Sequence, residues 1–372
     1  MNFRHRERPV TLLELGHERL AALGCALDLP ATQLTTAHDL FERLSTGWAE
    51  QPLHAAPRFA SDITDDHTPF EFSLALDGAT SELRFLSEVQ AERPSHGANW
   101  LAALRATEAL GGRFGVDLER LDRVRELFAP THDCPRFALW HAVCFRPTGA
   151  PDVKVYLNPQ AGGAAQASDC VERAMTRLGL RSAWQALPKA GPQDELCYFS
   201  LDLAAHAAAR VKLYVAHHGA DSERIERAVA GARGYSPGRA SGFCRALAPL
   251  NRYTKRPVIT CLSFVEGDLA PTTATVHFPV RSYADSDDAV RTALRGYLPS
   301  TSTQPYTEAL EAFARRSLGA RSGMQTYASL RLDPGRDRVT VYLAPEAYAN
   351  PVASSVRPSR PLPMQATQAG AT

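Results

Sequence analysis

No run of about 18 apolar residues occurs, the length that a membrane-spanning helix requires, so no membrane partner is expected. The opening stretch, MNFRHRERPV, is charged where a secretory signal carries an apolar core, which predicts a cytoplasmic protein. Cysteine pairs at metal or redox spacing are also missing. The seven cysteines, Cys25, Cys134, Cys144, Cys170, Cys197, Cys244 and Cys261, are odd in number and scattered. Without a C-x-x-C pair they read as reduced, mostly buried thiols rather than a disulfide framework or a zinc site. Neither sign of charge dominates, with 41 Lys+Arg against 40 Asp+Glu. That balance argues against nucleic acid as a main partner, because a phosphate-tracking surface leaves a basic excess. It leaves room for a local basic pocket.

Familiar catalytic signatures are missing too. There is no G-x-S-x-G and no H-E-x-x-H, and AGGAAQ (161–166) lacks the spacing of a dinucleotide fingerprint. Asp62-x-x-Asp65-Asp66 lies in a polar stretch before a strand and reads as a solvated loop rather than a metal motif. His217-His218 closes a strand and reads as a turn pair.

What is present is a long, amply apolar chain: 372 residues, 44% hydrophobic. Length alone fits two domains or one large barrel. Segments 11–27 and 31–48 carry apolar residues at helical spacing. The texture then changes to pairs of alternating segments separated by Gly, Pro and Asp. The pairs are 69–76 with 82–89, 136–145 with 152–158, 195–203 with 210–216, 257–265 with 272–280, and 325–332 with 338–344. Each reads as a β-hairpin. Helical stretches lie between them at roughly 98–128, 167–186, 219–233, 285–297 and 304–318. The last stretch, NPVASSVRPSRPLPMQATQAGAT, has no periodicity, and 349–372 reads as a disordered tail.

Hairpin followed by helices, repeated five times, gives ten antiparallel strands. A sheet of that size tends to close, which removes its edges. The prediction is therefore an α+β chain with one domain over 1–348. Its first 50 residues are helical, and its ten-stranded antiparallel β-barrel is coated by helices. Such a barrel is too wide for its own side chains to fill, so it encloses a lumen.

The second strand of each hairpin repeats one theme: Arg84, then Lys154-Val-Tyr156, Arg210-Val-Lys212-Leu-Tyr214, Thr275-Val-His277 and Arg338-Val-Thr340-Val-Tyr342. Residues i and i+2 of a strand share a face. Val, Leu and Phe then pack outward on the helices, while cations and phenols line the lumen. Acidic residues look absent from these strands, which suggests positive charge segregated inside and carboxylates left to helices and loops. A lumen of guanidinium, ammonium and phenol groups suits a polyanion. Tyrosine faces can also stabilise a carbocation, at roughly 0.5–2 kcal/mol per contact. Together these groups suit ionisation of an allylic diphosphate.

The segments EFSLAL, VKVYLN, RVKLYV, VHFPVRSY and RVTVYLAPEAY resemble the bacterial indole prenyltransferases of the dimethylallyltryptophan synthase type, over about 69–348. The resemblance implies the ten-stranded ABBA prenyltransferase barrel. It also implies transfer of a dimethylallyl group from dimethylallyl diphosphate to an indole, with free tryptophan as the preferred acceptor and no required cofactor or Mg2+.

Residue by residue, it casts Glu71 as the glutamate that holds the indole N–H and serves as base. Arg84, Lys154, Arg210 and Lys212 become diphosphate ligands, assisted by Tyr156, Tyr214 and Tyr342. Tyr156, Tyr214, His277 and Tyr342 become the cation shield, with Trp140 and Asn158 in the acceptor pocket.

Two departures stand out. Thr275-Val-His277 replaces the family's frequent Gln-x-Tyr, which puts an imidazole in the shield. Trp140, with His141 beside it, stands where fungal C4-alkylating members carry lysine. That disfavours C4 and points to C6, another benzene-ring carbon, or N1. The expected assembly is a monomer or homodimer. Alternatives are another indole, a cyclic dipeptide or a phenol as acceptor, or a non-catalytic barrel that binds an anionic ligand.

Overall fold

The structure is a computed structural model describing residues 10–53, 56–78, 81–131, 136–333 and 336–348. The stretch 349–372, read above as a disordered tail, and Cys134 lie outside the described residues. The six described cysteines are free, five of them buried and Cys25 exposed.

The period-2 segments form β1 (Phe70–Leu76), β2 (Ser81–Glu88), β3 (Leu139–Phe145), β4 (Asp152–Leu157), β5 (Asp194–Asp202), β6 (Val211–His217), β7 (Val258–Phe264), β8 (Thr273–Phe278), β9 (Gln325–Asp333) and β10 (Arg336–Leu343). Each strand pairs antiparallel with its chain neighbours. β1 also pairs with β10, through Phe72↔Leu343 and Ser73↔Tyr342, and closes the barrel. Among the described residues no barrel strand has an unpaired edge, which removes the usual template for aggregation.

Eleven α-helices surround it among the described residues: α1 (Leu12–Ala26), α2 (Ala31–Ser45), α3 (His96–Leu110), α4 (Glu119–Val124), α5 (Ala167–Arg177), α6 (Arg181–Ala186), α7 (Ser222–Val229), α8 (Arg239–Leu247), α9 (Val280–Tyr283), α10 (Asp287–Arg295) and α11 (Ser300–Phe313). Two predicted helices are broken by glycine. The 98–128 stretch stops at Leu110, where Gly112 and Gly115 take φ +72, and 167–186 is cut at Gly179 with φ +74. Those left-handed conformations end a helix, and only glycine adopts them without steric cost. α8, hidden in the Gly/Ser-rich run SPGRASGF, was not legible as a helix.

The apolar core lies between the outer face of the barrel and the helices. Phe70, Phe72 and Phe85 point outward and meet the ring of Phe41 on α2 at centroid distances of 5.2, 6.2 and 5.4 Å. Each such buried ring contributes about 1.5–3 kcal/mol. A methyl at Gly16 would overlap that Phe41 ring, so α1 approaches α2 only because residue 16 has no side chain. The N-terminus of α1 is closed by a capping box. The Thr11 hydroxyl accepts from the Glu14 N–H, and the Glu14 carboxylate accepts from the Thr11 N–H.

At the far side, fully buried Asp287 ties α10 to the start of β9. It accepts from the N–H groups of Met324 (3.1 Å) and Gln325 (2.8 Å) and pairs with Arg316 at 2.6 Å.

Candidate active site

Inside, the lumen is layered from the hairpin turns toward the opposite mouth. On β4 and β6 the lysine comes nearest the turn and the tyrosine follows two residues later, roughly 7 Å further along, while on β10 Tyr342 follows Arg338 by four residues.

The turn end holds Arg84, Lys154, Arg210, Lys212, Arg331 and Arg338. Here one expectation is corrected: the carboxylates are not confined to helices and loops. Glu82 on β2 pairs with Arg84 at 2.5 Å, Arg146 at 3.1 Å and Arg338 at 2.9 Å. Asp202 on β5 pairs with Arg210 at 2.7 Å, and Asp77 with Arg338 at 3.0 Å. The reason is electrostatic. Six like charges in one enclosed space repel strongly, and interleaved carboxylates relieve that cost. Burial would raise both acids, but the surrounding guanidinium and ammonium groups hold Glu82 and Asp202 far below the usual carboxylate range.

Lys212 is engaged differently. Among the described residues no hydrogen bond or ion pair at contact distance holds its ammonium. Burial, then Arg210 and Lys154, lowers it to about 7. Lys154 Nζ lies 3.3 Å from Cys144 Sγ, and burial of that thiol is outweighed by Lys154 and Arg84, which lower it.

The middle of the lumen is a collar of rings from alternate strands. Tyr156 and Tyr214 are 5.6 Å apart between centroids, Tyr214 and His277 5.6 Å, and His277 and Tyr342 5.8 Å. Hydroxyls meet at 3.1 Å between Tyr156 and Tyr214, and Tyr342 Oη lies 3.3 Å from His277 Nδ1. Burial, aided by Lys212 and Arg84, lowers His277 to about 3, so its ring is neutral near pH 7. A neutral imidazole offers a π face to a cation, whereas imidazolium would repel it. Tyr198 on β5 and Tyr327 on β9 extend the collar, at 5.7 Å from Tyr214 and 6.5 Å from Tyr342. Both sit on first strands of hairpins, where the second-strand motif did not lead; the period-2 rule applied to CYFS and QTYAS finds them.

Beyond the collar lies Glu71. It is 7% exposed, and its Oε1 accepts from Thr326 Oγ1 at 2.5 Å. Burial pushes its carboxyl up to about 8, against the pull of the Thr326 hydrogen bond. Trp140 lines the same end, stacked on Phe137 at 4.0 Å and 5.5 Å from Tyr198. His141 points the other way, into the helix layer, with Nε2 2.7 Å from Thr107 of α3. The Asn158 amide donates to Phe137 O and accepts from the Gln160 N–H, which ties it to the backbone beside Trp140's stacking partner.

The Asp62–Asp66 segment also departs from a solvated loop. Asp65 pairs with Arg256 at 2.6 Å and Arg281 at 2.9 Å, while buried Asp66 accepts from Thr64, Thr68 and the Tyr348 N–H. Nor is His217-His218 a free turn pair. His217 lies 2.7 Å from Asp194 and 2.8 Å from Thr260, and His218 2.8 Å from Glu195.

The assembled lumen therefore offers counter-charge for a polyanion at one end, a ring-lined waist, and a buried carboxyl at the other end. Among the described residues no group of three or more His, Cys, Asp or Glu could hold a metal ion. None of the described helices is long and apolar enough to cross a membrane.

Known proteins share this architecture. The family model for tryptophan dimethylallyltransferase matches residues 42–312. The 6-dimethylallyltryptophan synthase of Micromonospora olivasterospora, solved with DMASPP and Trp, is 32% identical. It superposes with a TM-score of 0.84 over 91% of this chain and 98% of that one. The 5-dimethylallyltryptophan synthase of Streptomyces coelicolor, also solved with DMASPP and Trp, is 30% identical, with a TM-score of 0.86 over 94% and 100%. The prenyltransferase PriB, in a ternary complex with L-tryptophan and dimethylallyl thiolodiphosphate, is 32% identical, with a TM-score of 0.86 over 93% and 100%.

Proposed function

This chain belongs to the tryptophan dimethylallyltransferase family, and from that premise we propose that it transfers the dimethylallyl group of dimethylallyl diphosphate to the indole ring of L-tryptophan. The observation that carries the reading is the ordering of the lumen: cations, then rings, then Glu71.

The diphosphate sits at the turn end against Lys154 and Lys212, with Arg84 and Arg210 turning toward it from Glu82 and Asp202. Charge-assisted hydrogen bonds there stabilise the oxygen that takes the electron pair as the allylic C–O bond breaks. The allyl cation forms inside the collar of Tyr156, Tyr214, His277 and Tyr342, whose π faces stabilise it while their bulk keeps water out. Indole, anchored through N–H to Glu71, attacks with a ring carbon. The proton lost from that carbon restores aromaticity and leaves through Glu71 or a group relayed to it. Diphosphate and the prenylated amino acid are the products.

Lys154, Lys212 and the guanidinium groups released from their carboxylates supply the counter-charge that a divalent metal supplies elsewhere, so the reaction needs no added metal or cofactor. Trp140 in the acceptor space supports attack away from C4, at C6, another benzene-ring carbon, or N1. The absence of C-x-x-C spacing, with six free thiols among the described residues, supports a cytoplasmic setting.

Incubation with dimethylallyl diphosphate and L-tryptophan in EDTA, followed by product mass and NMR, tests the proposal. It predicts a singly prenylated tryptophan of one ring isomer. Diphosphate release only with another aromatic would reassign the acceptor, and no release with any aromatic would make the barrel a ligand-binding protein.

A further inference from the structure

A second carboxyl lies at the acceptor end, and the proposed chemistry does not use it. Glu88, at the end of β2, is fully buried, and neither carboxyl oxygen meets a hydrogen-bond partner with good geometry. Its direct cross-strand partner on β3 is Trp140, whose indole Nε1–H is likewise buried and unsatisfied. The hydroxyl of Ser61, itself fully buried, and the Trp140 side chain are the groups that pull the Glu88 carboxyl down. Burial outweighs them and pushes it up to about 8. Donor and acceptor are thus adjacent without a well-formed hydrogen bond between them. Leaving either buried group unmet is costly, and native proteins rarely retain such a pair without a use.

In the transferase reading above, Trp140 is a wall of the acceptor space. It stacks on Phe137 and reaches Tyr198, which touches the collar rings Tyr156 and Tyr214. A rotation of that indole that completed the contact to Glu88 would change the plane offered to the acceptor.

We propose that Glu88 is a positioning residue: by accepting the Trp140 indole N–H once the acceptor fills the pocket, it fixes the plane of that wall and so selects which acceptor ring carbon faces the allyl cation. The inference rests on the transferase reading above. Glu88 acts here as an uncharged acid, so glutamine, which keeps the accepting carbonyl in the same place, can do the same work.

The test has two arms. In protein labelled with 15N-tryptophan, the four indole N–H signals include one that Trp140→Phe removes. That signal should move with pH about a midpoint near 8, move on Glu88→Leu, and regain its position and lose its pH dependence on Glu88→Gln. In turnover with saturating donor, Glu88→Leu should raise minor ring isomers relative to the main product by roughly tenfold, the equivalent of one buried hydrogen bond. Diphosphate affinity should be unchanged, Glu88→Gln should restore the isomer ratio, and Glu88→Leu should add nothing in a Trp140→Phe background.

A Trp140 signal indifferent to Glu88→Leu overturns the contact. An unchanged isomer ratio overturns the positioning role. A Gln variant as impaired as the Leu variant overturns it in favour of a direct role for the carboxylate. If the wild-type protein prenylates no tryptophan while the first arm behaves as stated, the assigned substrate falls and the Glu88–Trp140 contact stands.

Discussion

Glu71 gives the sharpest quantitative expectation. Its carboxyl sits at about 8 because burial penalises the charged form, and the hydrogen bond from Thr326 at 2.5 Å is the main stabiliser of the carboxylate. If the carboxylate must receive the indole N–H, only about one site in ten is competent at pH 7. With donor saturating, kcat/KM for the acceptor should therefore rise about tenfold per pH unit below 8 and level off above it. Thr326→Val keeps the shape and removes the donor. A hydrogen bond to a charged group contributes about 1.5–3 kcal/mol, which corresponds to an upward displacement of the limb by about 1–2 pH units. The variant should lose roughly tenfold or more at pH 7 and approach wild type only at about pH 10. Glu71→Gln should flatten the limb and reduce turnover strongly while leaving diphosphate affinity intact. The assay is product formation by chromatography across pH 6–10, with the diphosphate dissociation constant measured in parallel. A wild-type profile without the limb, or a limb that Thr326→Val does not move, refutes the reasoning.

Burial, with Arg210 and Lys154, lowers Lys212 to about 7, so the ammonium is present below that pH and lost above it. Diphosphate affinity should weaken as pH rises through about 7 in the wild type but persist to about pH 9 in Lys212→Arg, whose guanidinium stays charged. Lys212→Met should weaken it about 10- to 100-fold at pH 6.5, read by calorimetry. Tyr214→Leu opens the collar between Tyr156 and His277. It should raise the ratio of dimethylallyl alcohol to prenylated product, and an unchanged ratio would count against the shield. Asp287→Ala removes a fully buried carboxylate from Arg316 and two backbone N–H groups. It should cost roughly 3–5 kcal/mol and lower the Tm by about 4–7 °C in a thermal melt.

Much of this protein was determined locally. Ten strands, their pairing in hairpins and the face each side chain takes follow from period-2 alternation and turn residues, because adjacent side chains on a strand must oppose one another. The Lys154–Tyr156 and Lys212–Tyr214 steps needed nothing beyond that geometry. What the tertiary structure decided depends on register and burial around the closed barrel. Arg84, Arg146 and Arg338 converge on Glu82 across 256 residues of chain, and Thr326 reaches Glu71 across 255. No local pattern encodes such meetings. Asp65 looked like an exposed loop acid until the fold brought Arg256 and Arg281 to it. By strand alternation alone Glu71 and Glu88 are ordinary strand glutamates, and only the family resemblance set Glu71 apart. Their elevated pKa values arise only because the barrel and its helices take both carboxyls out of water, where the charged form loses its solvation.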